Sequence, residues 1–337
     1  MTASQPTPPS PVTDAQGEPR WGSYTGPFDR VDLDPVARRH GRLFDLSRRK
    51  RWLYTMITTD DLVIGLAITD LSYAASGFLF VTQVGKDARP LATFSSIGVP
   101  RVGVHVGDHP EEGCDAWFRL PHAGLAVRRP VGQTAYDVVA HTPQVSLYAT
   151  LETRGAPVPH GAIVRPPGSP AMVTEKRVNM AVRGEVSFGP ERRSLDGAVA
   201  GIDYTHGFPP RATEWHWAFL QGRTTDDRAV GLNLVQGFNG SPECVLWLGD
   251  TSYPLGEGRF THKDDVMEPW HVGTDDGKVD LSFVPVAVHR EEHNLGLVKS
   301  QFVQPQGLYR GRIEVPGKGT VRLDGVPGVA EQQRVRW

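Results

Sequence analysis

The residues best suited to chemistry are concentrated between Gly201 and Phe238. This stretch combines carboxylate, imidazole, guanidinium, indole and amide side chains with residues that favour strands. Polar groups that become buried among aromatic strands need partners, and binding sites are commonly built from a few such groups in an apolar setting. We therefore predict that the functional site lies in this stretch.

Asp203 and His206 are the candidate catalytic pair. They lie in the sequence Asp-Tyr-Thr-His-Gly, at the predicted end of a strand and just before Pro209 and Pro210. A carboxyl and an imidazole on one rigid turn could share a proton, and burial beside aromatic rings would move the pKa of each toward neutrality. The alternative is a polar corner in which Asp203 caps backbone amides and Arg211 neutralises it.

Aromatic side chains supply the candidate walls of a ligand site. Trp215 and Trp217 alternate along a predicted strand, so both indoles point to one face. The strand that should pair with it carries Asn233, a candidate to orient a ligand carbonyl or hydroxyl. Trp247 and Trp270 add further indole surface. The alternative is that these tryptophans are core residues and that Asn233 satisfies a local backbone group.

The sequence gives little support for a metal or a cofactor. His289 and His293 lie in an H-x-x-E-H string, but a zinc peptidase needs it on a helix, whereas both flanks here predict strands and favour a polar hairpin loop. His105, His109 and Cys114 lack the spacing of a zinc site. P-loop, dinucleotide-binding and G-x-S-x-G motifs are absent from the sequence. We expect neither metal nor cofactor.

Composition narrows the class of protein. The chain has 337 residues, enough for a substantial core, and a formal net charge of -2, which does not favour nucleic acid as a partner. Its 2 cysteines are far apart in sequence, so we expect buried or semi-buried thiols and no disulfide framework. Neither a membrane-spanning apolar run nor a signal peptide is recognisable, which predicts a soluble cytoplasmic protein.

Short strands separated by turns dominate the chain from Trp52 onward. The 37 glycines and 28 prolines indicate many turns. The helical crossovers that a parallel sheet requires are missing from the pattern. One short helix is predicted to begin near Asp34, because Pro35 suits its first position. The sequence therefore predicts an all-β fold of antiparallel strands with few helices.

The chain divides into three predicted parts. Residues 1–20 are rich in Pro, Ser, Thr and Gln, and their composition predicts a disordered tail. The interior segment richest in Pro and Gly covers residues 160–170 and is a natural junction or long loop. We therefore predict an N-terminal β domain over residues 21–165 and a C-terminal β domain over residues 166–337.

Several motifs taken together are specific to one family. They are Asp203-Tyr204-Thr205-His206-Gly207, Arg211-x-Thr213-x-Trp215-x-Trp217-Ala218, Gly231-Leu232-Asn233-Leu234 and Gly325-Val326-Pro327-Gly328-Val329-x-Glu331. On these motifs the chain resembles the family called domain of unknown function 2804, from about Trp21 to its end. It departs from that pattern after Glu331, where Gln332 and Gln333 replace the expected acidic and histidine residues.

The resemblance implies a fold and a class of ligand. The family is similar, more distantly, to tandem lipocalin-like proteins that include carotenoid hydratases, AttH-like proteins and fungal Diels–Alderases. That similarity implies two packed lipocalin-like β domains in which a polar cluster meets an apolar cavity. The run Asp203-x-x-His206-Gly207 resembles their Asp-x-x-Trp-Gly element, with His206 in place of an indole.

Three functions remain open at this point. One is cofactor-independent hydration, isomerisation or pericyclic chemistry on a hydrophobic small molecule bound in a β-barrel cavity. Asp203 would donate the proton with His206 as its partner, while Arg211 or Asn233 would orient the substrate. The second is a lipid or polyketide carrier without catalysis, and the third is a structural β protein whose tryptophans fill its own core.

Overall fold

The computed structural model describes residues 5–294 and 299–337. Over these residues the chain forms two short helices, one 3₁₀ turn (Ser241–Glu243) and 23 strands that all pair antiparallel. The helices are α1 (Asp34–His40) and α2 (Arg42–Arg48). The strands are β1 (Gly22–Thr25), β2 (Lys50–Thr58), β3 (Leu62–Asp70), β4 (Ala75–Gln83), β5 (Arg89–Gly98), β6 (Val104–Val106), β7 (Cys114–Leu120), β8 (Ala123–Arg129), β9 (Ala135–His141), β10 (Val145–Glu152), β11 (His160–Val164), β12 (Met172–Phe188), β13 (Glu191–Ser194), β14 (Val199–Gly207), β15 (Ala212–Arg223), β16 (Ala229–Gly237), β17 (Val245–Leu248), β18 (Thr251–Pro254), β19 (Gly258–Thr261), β20 (Trp270–Thr274), β21 (Val279–Asn294), β22 (Lys299–Val315) and β23 (Gly319–Arg336).

The strands form two curled sheets, so the predicted all-β fold with few helices is confirmed. The first sheet has the order β5-β4-β3-β2-β14-β12-β10-β9-β8-β7-β6, with β11 and β13 also paired to β12 and with β1 paired to β11. The second sheet has the order β18-β17-β16-β15-β23-β22-β21-β20-β19. The first curls into a near-barrel and the second into a half-barrel.

Two apolar cores follow from this arrangement. One lies inside the curled first sheet, where alternate residues of β2, β10 and β12 meet. The other joins the outer face of β2–β4 to the inner face of the second sheet, and includes Tyr54 and Met56 together with Trp217 and Phe219. The two sheets therefore share an apolar interface rather than only a linker.

Glycines allow the sheets to approach each other closely. A Cβ atom at Gly201 on β14 would lie 2.6 Å from the ring of Phe219 on the second sheet. A Cβ atom at Gly231 on β16 would lie 2.6 Å from Val178 on the first sheet. Both distances are too short for real contacts, so a side chain at either position would force the sheets apart.

Strand alternation determines which side chains reach the interface between the sheets. Lys176 on β12 pairs with Asp203 on β14, which in turn pairs with Tyr54 on β2. Directly paired residues share a face of a sheet, so these three side chains point together toward the second sheet. Their neighbours Glu175 and Tyr204 point into the core of the first sheet.

The boundaries differ from those that the sequence predicts. The first sheet continues through β14 to Gly207 and the second begins at Ala212, whereas the predicted junction at residues 160–170 contains strand β11. The division at residues 165 and 166 thus falls inside the first sheet, because β12 and β14 complete its hydrogen bonding. As a division into independently folding units it stays a prediction.

The N-terminal segment also differs from its prediction. Residues 1–4 lie outside the described residues, but Val12 is fully buried and Thr13 forms a β-bridge with Pro19. Apolar contact with the first core therefore orders a segment whose composition predicts disorder. The helix predicted near Asp34 is confirmed as α1, with Pro35 in its first turn.

Cys114 and Cys244 are both buried free thiols, as predicted. Neither helix in the described parts of the chain is long and apolar enough to cross a membrane.

Candidate functional site

A cavity of about 180 Å³ lies between the two sheets. Its volume far exceeds the ~10–15 Å³ that one water molecule needs. Both sheets contribute to its aromatic walls, which are Trp52, Tyr54, Phe78, Trp215, Trp217, Phe238, Phe302 and Trp337. The Trp52 and Trp215 rings lie parallel with centroids 6.4 Å apart, and Phe238 stacks on Trp215 at 5.1 Å. These three rings are partly exposed and form the rim.

Charged side chains line the inner end of the cavity. We call Lys176, Asp203, Glu243 and Glu331 the cavity cluster; each is at most 7% exposed. The ammonium of Lys176 forms an ion pair with the Asp203 carboxylate and lies 3.9 Å from Glu243 Oε1. Asp203 Oδ1 also accepts a hydrogen bond of 3.3 Å from the Thr205 hydroxyl. Adjacent strands thus hold opposite charges in register.

Glu243 enters the cluster from the 3₁₀ turn of the second sheet. Its Oε2 accepts a 2.6 Å hydrogen bond from the Asn239 amide, and its backbone carbonyl accepts one of 2.8 Å from Asn233 Nδ2. Burial raises the pKa of Glu243, an effect that the nearby Lys176 opposes. The turn is therefore fixed by two amides, and its carboxyl lies in an environment that favours the neutral form.

Glu331 is the carboxyl group of the cluster best placed to exchange a proton. Its two oxygens accept hydrogen bonds of 2.8 Å from Trp215 Nε1 and Gln304 Nε2. Burial raises the pKa of Glu331 to about 7, although both hydrogen bonds lower it. A carboxyl with a pKa near neutrality is populated in both its acid and its base forms, as general acid–base catalysis requires.

Tyr54 adds a hydroxyl to the same wall. This residue is 5% exposed, and its hydroxyl has no hydrogen-bond partner within residues 5–294 and 299–337. Burial raises the pKa of the phenol well above its ordinary value, and the nearby Glu331 and Asp203 add to that effect. Tyr54 therefore stays protonated, and its hydroxyl can donate a hydrogen bond to a ligand oxygen or accept one from a ligand hydroxyl.

Three of the predicted site residues line the cavity, and a fourth supports it. Asp203, Trp215 and Trp217 are cavity residues. Asn233 lies directly behind the wall, where its Oδ1 accepts a 2.8 Å hydrogen bond from Trp217 Nε1. Its amide thus holds the Trp217 indole and the turn that carries Glu243, so it positions the site rather than contacting the cavity.

His206 is not beside Asp203 as the sequence predicts. Residues Val199–Gly207 form a continuous strand rather than a turn, and positions three apart on a strand point to opposite faces. The His206 Nε2 atom accepts hydrogen bonds from Arg49 Nη1 at 3.0 Å and Arg51 Nε at 3.2 Å. Burial and then these two guanidinium groups lower the pKa of His206. The His206 imidazole is neutral, is hydrogen-bonded to two arginines and lies on the face of β14 opposite to Asp203. It therefore cannot be the partner of Asp203.

The remaining predicted residues lie outside the cavity. Arg211 is exposed. Trp247 is fully buried and donates a 2.9 Å hydrogen bond from Nε1 to the Val158 carbonyl. Trp270 donates one of 3.0 Å to the Val266 carbonyl and stacks on His262 at 3.9 Å. Both indoles are core residues with satisfied N–H groups, in agreement with the alternative interpretation.

The H-x-x-E-H string lies on strand β21 and not in the hairpin loop that its polarity favours. Strand alternation places His289, Glu291 and His293 on one face, where both imidazole Nε2 atoms lie 3.2 and 3.4 Å from the Glu291 carboxylate. Glu291 and His293 line the cavity. Within the described residues, no three His, Cys, Asp or Glu side chains are arranged to hold a metal ion.

Sequence reasoning missed Lys176, Glu243 and Glu331. Lys176 lies inside a long strand, and Glu331 is a single acidic residue in the apolar run Gly-Val-Pro-Gly-Val-Ala-Glu. A charge at an inward position of a strand requires a partner, which is a signal that could have identified both. Glu243 follows a Gly-Ser-Pro turn and has no comparable signal.

Comparisons with known proteins agree with the geometry at the level of fold. A family model described as Domain of unknown function (DUF2804) matches residues 3–337. Kievitone hydratase from Nectria haematococca superposes with a TM-score of 0.51 and 10% identity over 93% of this chain and 97% of its own. CghA does so with a TM-score of 0.50 and 11% identity over 98% and 97%.

A third solved structure, a putative AttH from Nitrosomonas europaea, has a TM-score of 0.48 and 14% identity over 92% of this chain and 98% of its own. No curated protein matches the sequence. The similarity to kievitone hydratase and CghA identifies the two-sheet fold as lipocalin-like, which confirms the predicted fold class.

Proposed function

The chain belongs to the DUF2804 family, and from this premise we propose that it binds an apolar small molecule between its sheets and catalyses a proton transfer on it. The observation that carries the proposal is the meeting of an aromatic-walled cavity with the buried carboxyl groups of Asp203 and Glu331. Apolar walls supply affinity for an apolar ligand, and the carboxyl groups supply a proton donor and a proton acceptor.

Glu331 is the proposed acid. Trp215 and Gln304 fix both of its oxygens, so the proton that it carries has a defined position. Asp203 is the proposed base, oriented by Lys176 and Thr205. Hydration, isomerisation and pericyclic closure of an unsaturated ligand are reactions that such a site can assist. One structural neighbour is named a hydratase. A positioned acid or base contributes about 10²–10⁴-fold to the rate.

A carrier without catalysis is the second candidate. The observation that favours it is that each carboxyl of the cavity cluster already has protein partners, such as Lys176 for Asp203 and Asn239 for Glu243. A carrier needs the apolar cavity but does not need a carboxyl free to exchange its proton with the cargo. The two functions therefore differ in whether the ligand gains or loses a proton when it is bound.

Native mass spectrometry of the purified protein, followed by solvent extraction, tests binding. We expect a co-purifying apolar molecule that a Trp215→Ala/Trp217→Ala variant loses and that a Glu331→Gln variant keeps. The extracted molecule is then incubated with the protein in deuterated water. An enzyme converts it or exchanges its C–H hydrogen for deuterium, and Glu331→Gln slows that process by about 10²–10⁴-fold.

Other outcomes of these measurements separate the candidates. A retained ligand that neither reacts nor exchanges deuterium supports the carrier. Failure to find or to load any apolar molecule contradicts both proposals and favours the structural β protein. The Trp270→Phe variant is the matched aromatic control, because Trp270 is buried away from the cavity.

A further inference from the structure

We propose that the ligand presents a hydrogen-bond donor, a hydroxyl or an ammonium group, to the inner end of the cavity, and that ligands ending in a carboxylate are excluded. This inference rests on the proposed function, because it specifies the polar group of the molecule that the cavity binds. It adds to that function the chemical class of the ligand, and it separates the cavity from one that takes fatty acids.

The balance of charge is the first support. Among the described residues that line the cavity, Lys176 is the only lysine or arginine, against the four carboxyl groups of Asp203, Glu243, Glu291 and Glu331. Lys176 is already engaged by Asp203 and lies 3.9 Å from Glu243. A ligand carboxylate would have to leave water to face like charges without a free cation, which disfavours binding.

The orientation of the amides is the second support. Asn239 and Gln304 donate their NH₂ groups to Glu243 and Glu331, and Gln333 donates to the Ser300 hydroxyl at 2.9 Å. The carboxyl oxygens of Glu243 and Glu331 accept these hydrogen bonds, so the NH₂ group of each neighbouring amide turns toward them and its oxygen points away. The three amide oxygens are buried and have no partner in the described part of the chain. These side chains therefore offer acceptors and require donors.

The Tyr54 hydroxyl is the third support. It is buried, belongs to a cavity residue and lacks a partner within the described ranges. Burial of a polar group without a hydrogen bond is unfavourable, so a ligand that supplies one is preferred over an apolar ligand that does not. A hydroxyl can both donate to an amide oxygen and accept from Tyr54. An ammonium group can donate to the carboxylates.

Displacement of a neutral dye tests this class of ligand. The full-length protein is loaded with N-phenyl-1-naphthylamine, and decan-1-ol, decylammonium and decanoate compete for it at about pH 8. These competitors share one alkyl chain and differ in the polar group. We expect the alcohol and the amine to displace the dye at concentrations at least roughly tenfold lower than decanoate.

A pair of variants locates the discrimination in the cavity. Glu331→Gln removes one carboxylate. We expect this variant to reduce, by several-fold, the ratio between the concentrations of decanoate and of decan-1-ol that displace the dye. The control is Glu314→Gln, since Glu314 is exposed on β22, and it leaves the preference unchanged. If decanoate and decan-1-ol displace the dye from the wild-type protein at equal concentrations, the inference about the ligand class is wrong. In that case the binding of the dye still supports the proposed function. Failure of the dye and of all three competitors to bind overturns both.

Discussion

Two buried charged clusters lie back to back on strand β12, and only one of them borders a cavity. Side chains alternate between the two faces of this strand. Lys176 therefore points to the cavity cluster, whereas its neighbours Glu175 and Arg177 point into the core of the first sheet. There, Glu175 and Arg177 meet Glu111 and Arg129; we call these four residues the core cluster.

The core cluster is closed by its own members. Arg177 Nε donates a 2.7 Å hydrogen bond to Glu111, whose other oxygen pairs with Arg129. Glu175 accepts a 2.6 Å bond from the Phe28 backbone N–H. Burial, and then the proximity of Glu111, raises the pKa of Glu175 well above its ordinary value, which favours the protonated form of the Glu175 carboxyl. Such a cluster stabilises one arrangement of the sheet and leaves no group for a ligand.

The cavity cluster differs in what surrounds it rather than in its burial. Its members are about as buried as Glu111, Glu175 and Arg177 of the core cluster, but they line a space that a ligand can enter. Burial and ion pairing alone therefore do not identify a site. The distinguishing features are an adjacent cavity and polar atoms left without partners.

The largest predicted loss of stability follows from the removal of a cation from the core cluster. Arg177→Met leaves Glu111 and Glu175 buried with only Arg129 as a cation, so we expect the free energy of unfolding to fall by about 3–5 kcal/mol. Chemical denaturation measures it. Arg183→Met is the control, because Arg183 is exposed on the same strand and its loss is expected to cost less than about 0.5 kcal/mol. A small effect of Arg177→Met would contradict the structural role of this cluster.

The next prediction concerns the pH dependence that Glu331 contributes. Its pKa is raised from 4.5 to about 7 in the folded protein, so the folded state binds the proton more tightly. The resulting stabilisation is fully present below about pH 4.5 and is lost as pH rises to about 7. The contribution of Glu331 to the free energy of unfolding is about 3 kcal/mol at the low-pH end of this range. We expect the stability of the wild type relative to Glu331→Gln to fall by about this amount between about pH 4 and pH 8.

Chemical denaturation of both proteins at several pH values tests whether the pKa of Glu331 is raised. Other carboxyl groups titrate in both proteins, so their contributions cancel in the difference. A difference that does not vary with pH would show that Glu331 has an ordinary pKa and would remove it as the proposed acid.

Lys176→Met is expected to have a smaller effect than Arg177→Met, although the two residues are adjacent and equally buried. Removal of the ammonium leaves Asp203 and Glu243 without their cation, but water can enter the neighbouring cavity and Glu243 can take up a proton. We expect a loss of about 1–3 kcal/mol in the free energy of unfolding. A loss as large as that of Arg177→Met would show that the cavity cluster is closed in the same way as the core cluster.

Local pattern was sufficient to predict the strands and part of the site. A period of two residues places Trp215 and Trp217 on one face, and the pairing of their strand with that of Asn233 is observed. The sequence does not encode in any local pattern which distant strand lies opposite. Glu331 reaches Trp215 across 116 positions of the chain, and only the sheet order brings them together. His206 was misplaced for a local reason, because the segment that holds it continues as a strand.

Arg211→Ala is the smallest predicted effect and the one that separates the two partners proposed for Asp203. In the alternative interpretation of the sequence, Arg211 neutralises this carboxylate, whereas the structure pairs Asp203 with Lys176 and leaves Arg211 exposed. Exposed substitutions usually change the free energy of unfolding by less than about 0.5 kcal/mol, and we expect that here, with dye binding unchanged. If Arg211→Ala instead matched Lys176→Met in both measurements, Arg211 would be the counter-ion of the site. The charge balance of the cavity would then include a second cation, and the predicted exclusion of carboxylate ligands would weaken accordingly.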